Sequence, residues 1–99
     1  MTERVAIDLP DRMDIASAEQ LHLTLEGALS DGQPIQLNGD KVGKIDTSGV
    51  QLLLGLFREA GKQHLDVSWN QPSETILEAI NFLNLTAEVG LNETAVMEA

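Results

Sequence analysis

Hydrophobic and polar residues alternate through Arg4-Val5-Ala6-Ile7-Asp8-Leu9, which puts Val5, Ile7 and Leu9 on one face of a half-buried strand ending at Pro10-Asp11. The period then changes. Ala18, Leu21, Leu25, Ala28 and Leu29 recur at helical spacing, Ser17 and Gln20 stand in the positions of a capping box, and Asp31-Gly32 marks the stop. After Pro34, Ile35-Gln36-Leu37 alternates again, and Asn38-Gly39-Asp40 turns the chain toward Val42 and Ile45. Val50, Leu53, Leu54 and Phe57 then repeat at three and four, and Leu52 and Leu56 widen the stripe into a helix buried on more than one side. This helix is expected to end near Gly61, with Lys62 complementing its carbonyl end. Leu65, Val67 and Trp69 predict a further strand. Asn70-Gln71-Pro72-Ser73 opens a last helix, with Ile76, Leu77, Ile80 and Leu83 inward and Glu74 and Glu78 outward.

Strands that alternate with helices need crossover connections, so the pattern predicts an α/β fold with a largely parallel sheet. In the tail, Ala87, Val89 and Leu91 allow a short edge strand, and the final residues are expected to fray. No internal repeat, low-complexity tract or linker interrupts the 99 residues, and one domain over 1–99 is expected.

Composition narrows the function classes. Hydrophobic residues make up 42% and charged residues 22%, a balance that a packed core needs and a disordered chain lacks. Cysteine is absent, which removes disulfides, thiolate metal sites and cysteine nucleophiles together. Sixteen acidic and six basic side chains give a formal charge of −10. Such a surface repels nucleic-acid phosphates and anionic membranes, and it speeds encounter with a basic protein surface. No apolar run reaches the length of a membrane span, and MTERVAIDL lacks the build of a signal peptide, so the expectation is a cytoplasmic protein with no direct membrane insertion.

No catalytic or metal constellation stands out. His22 and His64 fall on different elements without metal-ligand spacing, and Gly39, Gly43, Gly49 and Gly55 fit neither phosphate-loop pattern. No carboxylate pair separates itself from the acidic surface, so neither an enzyme nor a cofactor or metal site is expected. His22 reads as an exposed helix residue, and Trp69 reads as core at the end of the sheet.

What remains is Asp46-Thr47-Ser48-Gly49. A helix start has four amide donors without internal partners, and these residue types meet that need. Ser48 with Gln51 matches a capping box, which places Thr47 just outside the helix with no capping duty. Its hydroxyl is then open to modification, and a phosphate there would meet free amides and the positive end of the helix dipole. Capping and regulation are both compatible with the residues alone.

The longer stretch IQLNGDKVGKIDTSGVQLLLGLFREAGKQHLDVSWNQPSETILEAINFLNL resembles the STAS domain of bacterial anti-sigma-factor antagonists, with the likeness running from about Val5 to Leu91. The resemblance implies an STAS-like mostly parallel or mixed sheet of about four to five strands with three to four helices. It implies a non-enzymatic signalling module whose hydroxyl residue after the aspartate is phosphorylated by a partner serine/threonine kinase and reset by a phosphatase. That residue is Thr47, with Ser48 as the lesser candidate. By match to the motif, Asp46, Thr47, Ser48 and Gly49 form the surface for a kinase or anti-sigma factor in transcription regulation, and Gln51, Arg58 and Lys62 lie beside it. The same turn also resembles the small STAS subunit that docks on the ATPase of a phospholipid-trafficking ABC transporter, and STAS proteins that accompany chemotaxis or two-component clusters.

Overall fold

The computed structural model describes residues 4–91. Eight elements follow one another: β1 (Val5–Asp8), β2 (Arg12–Met13), α1 (Ile15–Asp31), β3 (Ile35–Asn38), β4 (Lys44–Ile45), α2 (Thr47–Lys62), β5 (Val67–Asn70) and α3 (Glu74–Phe82). The α/β class holds, with five short strands and three helices among the described residues. All pairings are parallel: β1-β3-β5 form one sheet and β2-β4 a second.

Register explains why alternation is so clean in the larger sheet. Val5, Ile35 and Val67 lie in one row and Ile7, Leu37 and Trp69 in the next, all facing the core. The opposite face carries Ala6, Gln36 and Ser68, then Asp8, Asn38 and Asn70. Parallel sheets are usually covered on both sides and read as continuous apolar runs. Here the uncovered face satisfies itself with polar groups: Asn38 Nδ2 donates to Asp8 Oδ1 at 2.7 Å, and Asn70 Nδ2 donates to Asn38 Oδ1 at 2.9 Å.

The core joins this sheet to the helices through Leu21 and Leu25 of α1, Val50, Leu53 and Leu56 of α2, and Ile76 and Ile80 of α3. Trp69 sits at its margin as expected, stacked on Phe57 with ring centroids 6.3 Å apart, and donates its indole N–H to the Val89 carbonyl at 2.8 Å.

Three expected details change. The cap of α1 is Asp14 rather than Ser17: its carboxylate accepts from the Ser17 amide at 3.2 Å, and Ser17 Oγ accepts from the Asp14 amide at 3.2 Å. Ser17 is therefore the third helical residue, closing the box from inside. Leu83 does not join the core, since α3 ends at Phe82 and Asn84 takes a left-handed φ of 58° that turns Leu85 inward instead. Phe82 and Leu83 remain exposed. No edge strand forms over Thr86–Leu91. Those residues turn, with the Leu91 amide bonding to the Thr86 carbonyl at 2.7 Å, and the turn alone buries Val89 and Leu91 while Ala87 stays out. The rest of the expected tail lies outside the described residues.

Candidate functional site

The small β2-β4 pair fixes the start of α2. Met13 and Ile45 are register partners, and the Asp46 amide continues the ladder by donating to the Met13 carbonyl at 3.0 Å. The chain leaves the strand with Asp46 in extended conformation, φ −117° and ψ −171°. From there Asp46 Oδ1 accepts from the amides of Ser48 at 2.9 Å and Gly49 at 3.3 Å. Asp46 is the N-cap, and the Ser48–Gln51 box is not formed. A carboxylate at this position serves the second and third helical amides and also meets the positive end of the dipole, so it outcompetes a serine hydroxyl two residues on.

Thr47 is consequently the first residue of the helix rather than the residue before it. It is exposed, and its hydroxyl makes no hydrogen bond among the described residues. Two of the amides that a phosphate could have used are already bound to Asp46. A phosphoryl group on Thr47 would thus arrive beside a carboxylate, and like charge rather than amide capture dominates its effect.

Gly49 is buried, and the reason is steric. A Cβ at this position would lie 2.6 Å from the Met13 carbonyl oxygen and 2.9 Å from Ile45 Cγ1. Only a glycine lets the first turn of α2 press onto β2 and β4. Its part in the motif is to seat the turn from beneath, while Asp46 and Thr47 form the exposed surface.

The other expected residues divide in two. Gln51, Arg58 and Lys62 are exposed and fall with Thr47 at spacings of four, seven and four, on the side of α2 opposite Gly49, Leu53, Leu56 and Ala60. At 1.5 Å per residue this stripe is about 22 Å long, so only Gln51 adjoins the turn, and Arg58 and Lys62 serve a partner only if it lies along the helix. Ser48 is half-buried and, with Gln51 at the edge of the stripe, lines a groove between α1 and α2 that sequence reasoning had not anticipated. Gly55, a glycine in the middle of α2, is part of its lining. His22 pairs with Glu26 at 3.2 Å on α1, both exposed at the rim of that groove, and His64 occupies a left-handed turn after α2.

This strand, aspartate cap and glycine-seated helix can be set against known families. The family model described as "Mlab, STAS domain" matches residues 2–93. The chain belongs to the STAS family. Among solved structures, the unphosphorylated form of the anti-sigma factor antagonist SpoIIAA is similar to this STAS chain, with a TM-score of 0.69 and 28% identity over 88% of this chain and 77% of that one. Among curated protein sequences, none matches.

Proposed function

We propose that this STAS protein is a non-enzymatic interaction module of the anti-sigma-factor antagonist type, switched by phosphorylation of Thr47. The observation that carries this reading is an exposed hydroxyl at the first position of α2, beside an aspartate whose carboxylate is already committed to the helix start. The unmodified turn offers a partner kinase or anti-sigma factor a surface of Asp46, Thr47 and Gln51, continued along α2 by Arg58 and Lys62. Phosphorylation adds about −1.5 to −2 charges next to Asp46. An interface closed over that point must then bury two adjacent negative groups, and truncating or mispairing buried charge costs about 2–5 kcal/mol of binding. A phosphatase restores the unmodified surface. The setting is cytoplasmic, since kinase and sigma-factor partners reside there.

Thr47→Glu tests the switch. The variant should keep the wild-type denaturation midpoint and lose binding to whichever partner co-purifies from the native cell, with intact-mass measurement reporting phosphate on the wild type. Binding as tight as wild type would reject the model.

A second reading takes the Asp46 carboxylate as the standing cap of the Ser48 and Gly49 amides. In that case the module docks permanently on the ATPase of a phospholipid-trafficking ABC transporter. A complex that survives Thr47→Ala and carries no phosphate would favour it.

A further inference from the structure

Between α1 and α2 runs an open groove of about 750 Å³. Its floor is apolar: Leu25 and Leu29 come from α1, and Leu52 and Leu56 from α2. Its walls carry Glu26, which pairs with His22 of the same helix at 3.2 Å, and Glu59, which accepts from Gln63 Nε2 at 3.5 Å, and no lysine or arginine lines it among the described residues. Four of the six basic residues lie elsewhere, on β2, β4, the loop between β3 and β4, and the chain start, while Arg58 and Lys62 point along the exposed stripe of α2.

Gly55 lies in this groove, exposed on α2. A Cβ built there meets no atom within 4 Å. This is the reverse of Gly49, where a Cβ would strike Met13. Gly27 and Gly61 are likewise free of internal clash, but of the three only Gly55 lines this groove, where the missing side chain leaves the backbone of α2 open to close approach.

We propose that the α1–α2 groove receives a cationic amphipathic helix of a partner protein, whose backbone crosses α2 at Gly55. An extended strand would not fit, because two helices present side chains and no free backbone donors or acceptors for strand addition. A helix can lay apolar residues at i, i+3, i+4 and i+7 between the ridges of α1 and α2 while its lysines or arginines reach Glu26 and Glu59. This rests on the interaction-module reading only in supposing a protein partner, and it holds whether or not Thr47 is modified.

The test uses the unmodified full chain, nitrogen-labelled, titrated with a synthetic helical peptide of about 18 residues, roughly 27 Å long, bearing one leucine face and one lysine face. A peptide with glutamate in place of every lysine is the charge control. Binding of the lysine peptide should shift the amides of Ser48, Leu52, Gly55, Leu25 and Leu29. Gly55→Leu should fill the groove and weaken binding about tenfold or more, while the chain stays folded because the new side chain enters open space. Gly27→Leu is the matched control, since a Cβ there also meets nothing but faces a cleft against β1. Glu26→Lys with Glu59→Lys should weaken binding similarly. Equal binding by Gly55→Leu and Gly27→Leu, equal binding of the glutamate peptide, or shifts spread over the other faces would each overturn the assignment. None of these readouts depends on Thr47, so failure here leaves the switch untouched, and a constitutive Thr47 leaves the groove untouched.

Discussion

The molecule builds the same helix start twice. Met13-Asp14 and Ile45-Asp46 leave two parallel strands in register, both aspartates are extended N-caps, and both hand directly into a long helix. The next residues differ. In α1 the third helical residue is Ser17, whose hydroxyl donates to the Arg12 carbonyl at 2.7 Å and accepts from the Asp14 amide, so the only hydroxyl of that turn is spent on the backbone. In α2 the third residue is Gly49, pressed on Met13, and the hydroxyls stand at the first and second positions. The Asp46 amide finds the Met13 carbonyl instead of a side chain. A start closed by its neighbouring strand needs no serine at the third position, which leaves Thr47 free. One turn is stapled from within, and the other is held from beneath with its alcohol outward.

Gly49→Ala strikes hardest at the difference between the two helix starts. The added carbon would need the Met13 backbone to move, because its oxygen lies 2.6 Å away and cannot rotate aside as a flexible side chain could. Overpacking of this kind costs about 1–3 kcal/mol, and the strain would fall on the turn that carries Thr47. Denaturant midpoints should show the largest loss of any single substitution in either helix start. A loss below that of Ser17→Ala would mean that α2 is not seated on β2 as described.

The two caps come next. Asp46→Ala strips the acceptor from the Ser48 and Gly49 amides, and Asp14→Ala strips it from Ser17, each at about 0.5–2 kcal/mol. Asp46→Ala should cost the more of the two, since in α1 Ser17 retains its bond to the Arg12 carbonyl and continues to hold the turn. Urea melts of the pair decide it, and equal losses would show that Ser17 adds nothing to its start.

The fold shows through the sequence where one face is buried and the other wet. Val5 and Ile7, Ile35 and Leu37, and Val67 and Trp69 alternate visibly because the second face of their sheet is uncovered and polar. The strands of the small sheet are two residues each, too short for a period, and their pairing is set by tertiary register rather than local pattern. At both helix starts a serine followed three residues later by glutamine imitates a capping box, while the acting cap is the aspartate upstream, whose charge wins the amides. Ala87, Val89 and Leu91 alternate for a different reason again: a turn that happens to bury two of the three. Asp46-Thr47-Ser48-Gly49 announces a helix start by residue type, but the reason for its glycine is Met13, which lies far off in sequence. No local pattern could have supplied it.

The smallest effects test the comparison most finely. If Ser48 capped α2, Ser48→Ala would cost what a lost cap costs, about 0.5–2 kcal/mol. With Asp46 holding the amides, Ser48→Ala and Thr47→Val should both fall within about 0.5 kcal/mol of wild type, as exposed or half-exposed side chains without a bonding duty do. Ser17→Ala, at the stapled start, should cost more than either, because Arg12 and Asp14 both lose a partner. Stability alone would then separate a hydroxyl that builds the fold from one that the fold merely displays. A Thr47 that is silent in unfolding yet decisive in binding has no structural reason to be there. Its conversion to valine should leave the midpoint in place and, under the proposed switch, abolish the phosphate adduct seen on the wild type, with intact mass as the readout. A clear loss of stability in Thr47→Val would assign its alcohol to the helix and deprive the switch of a free group.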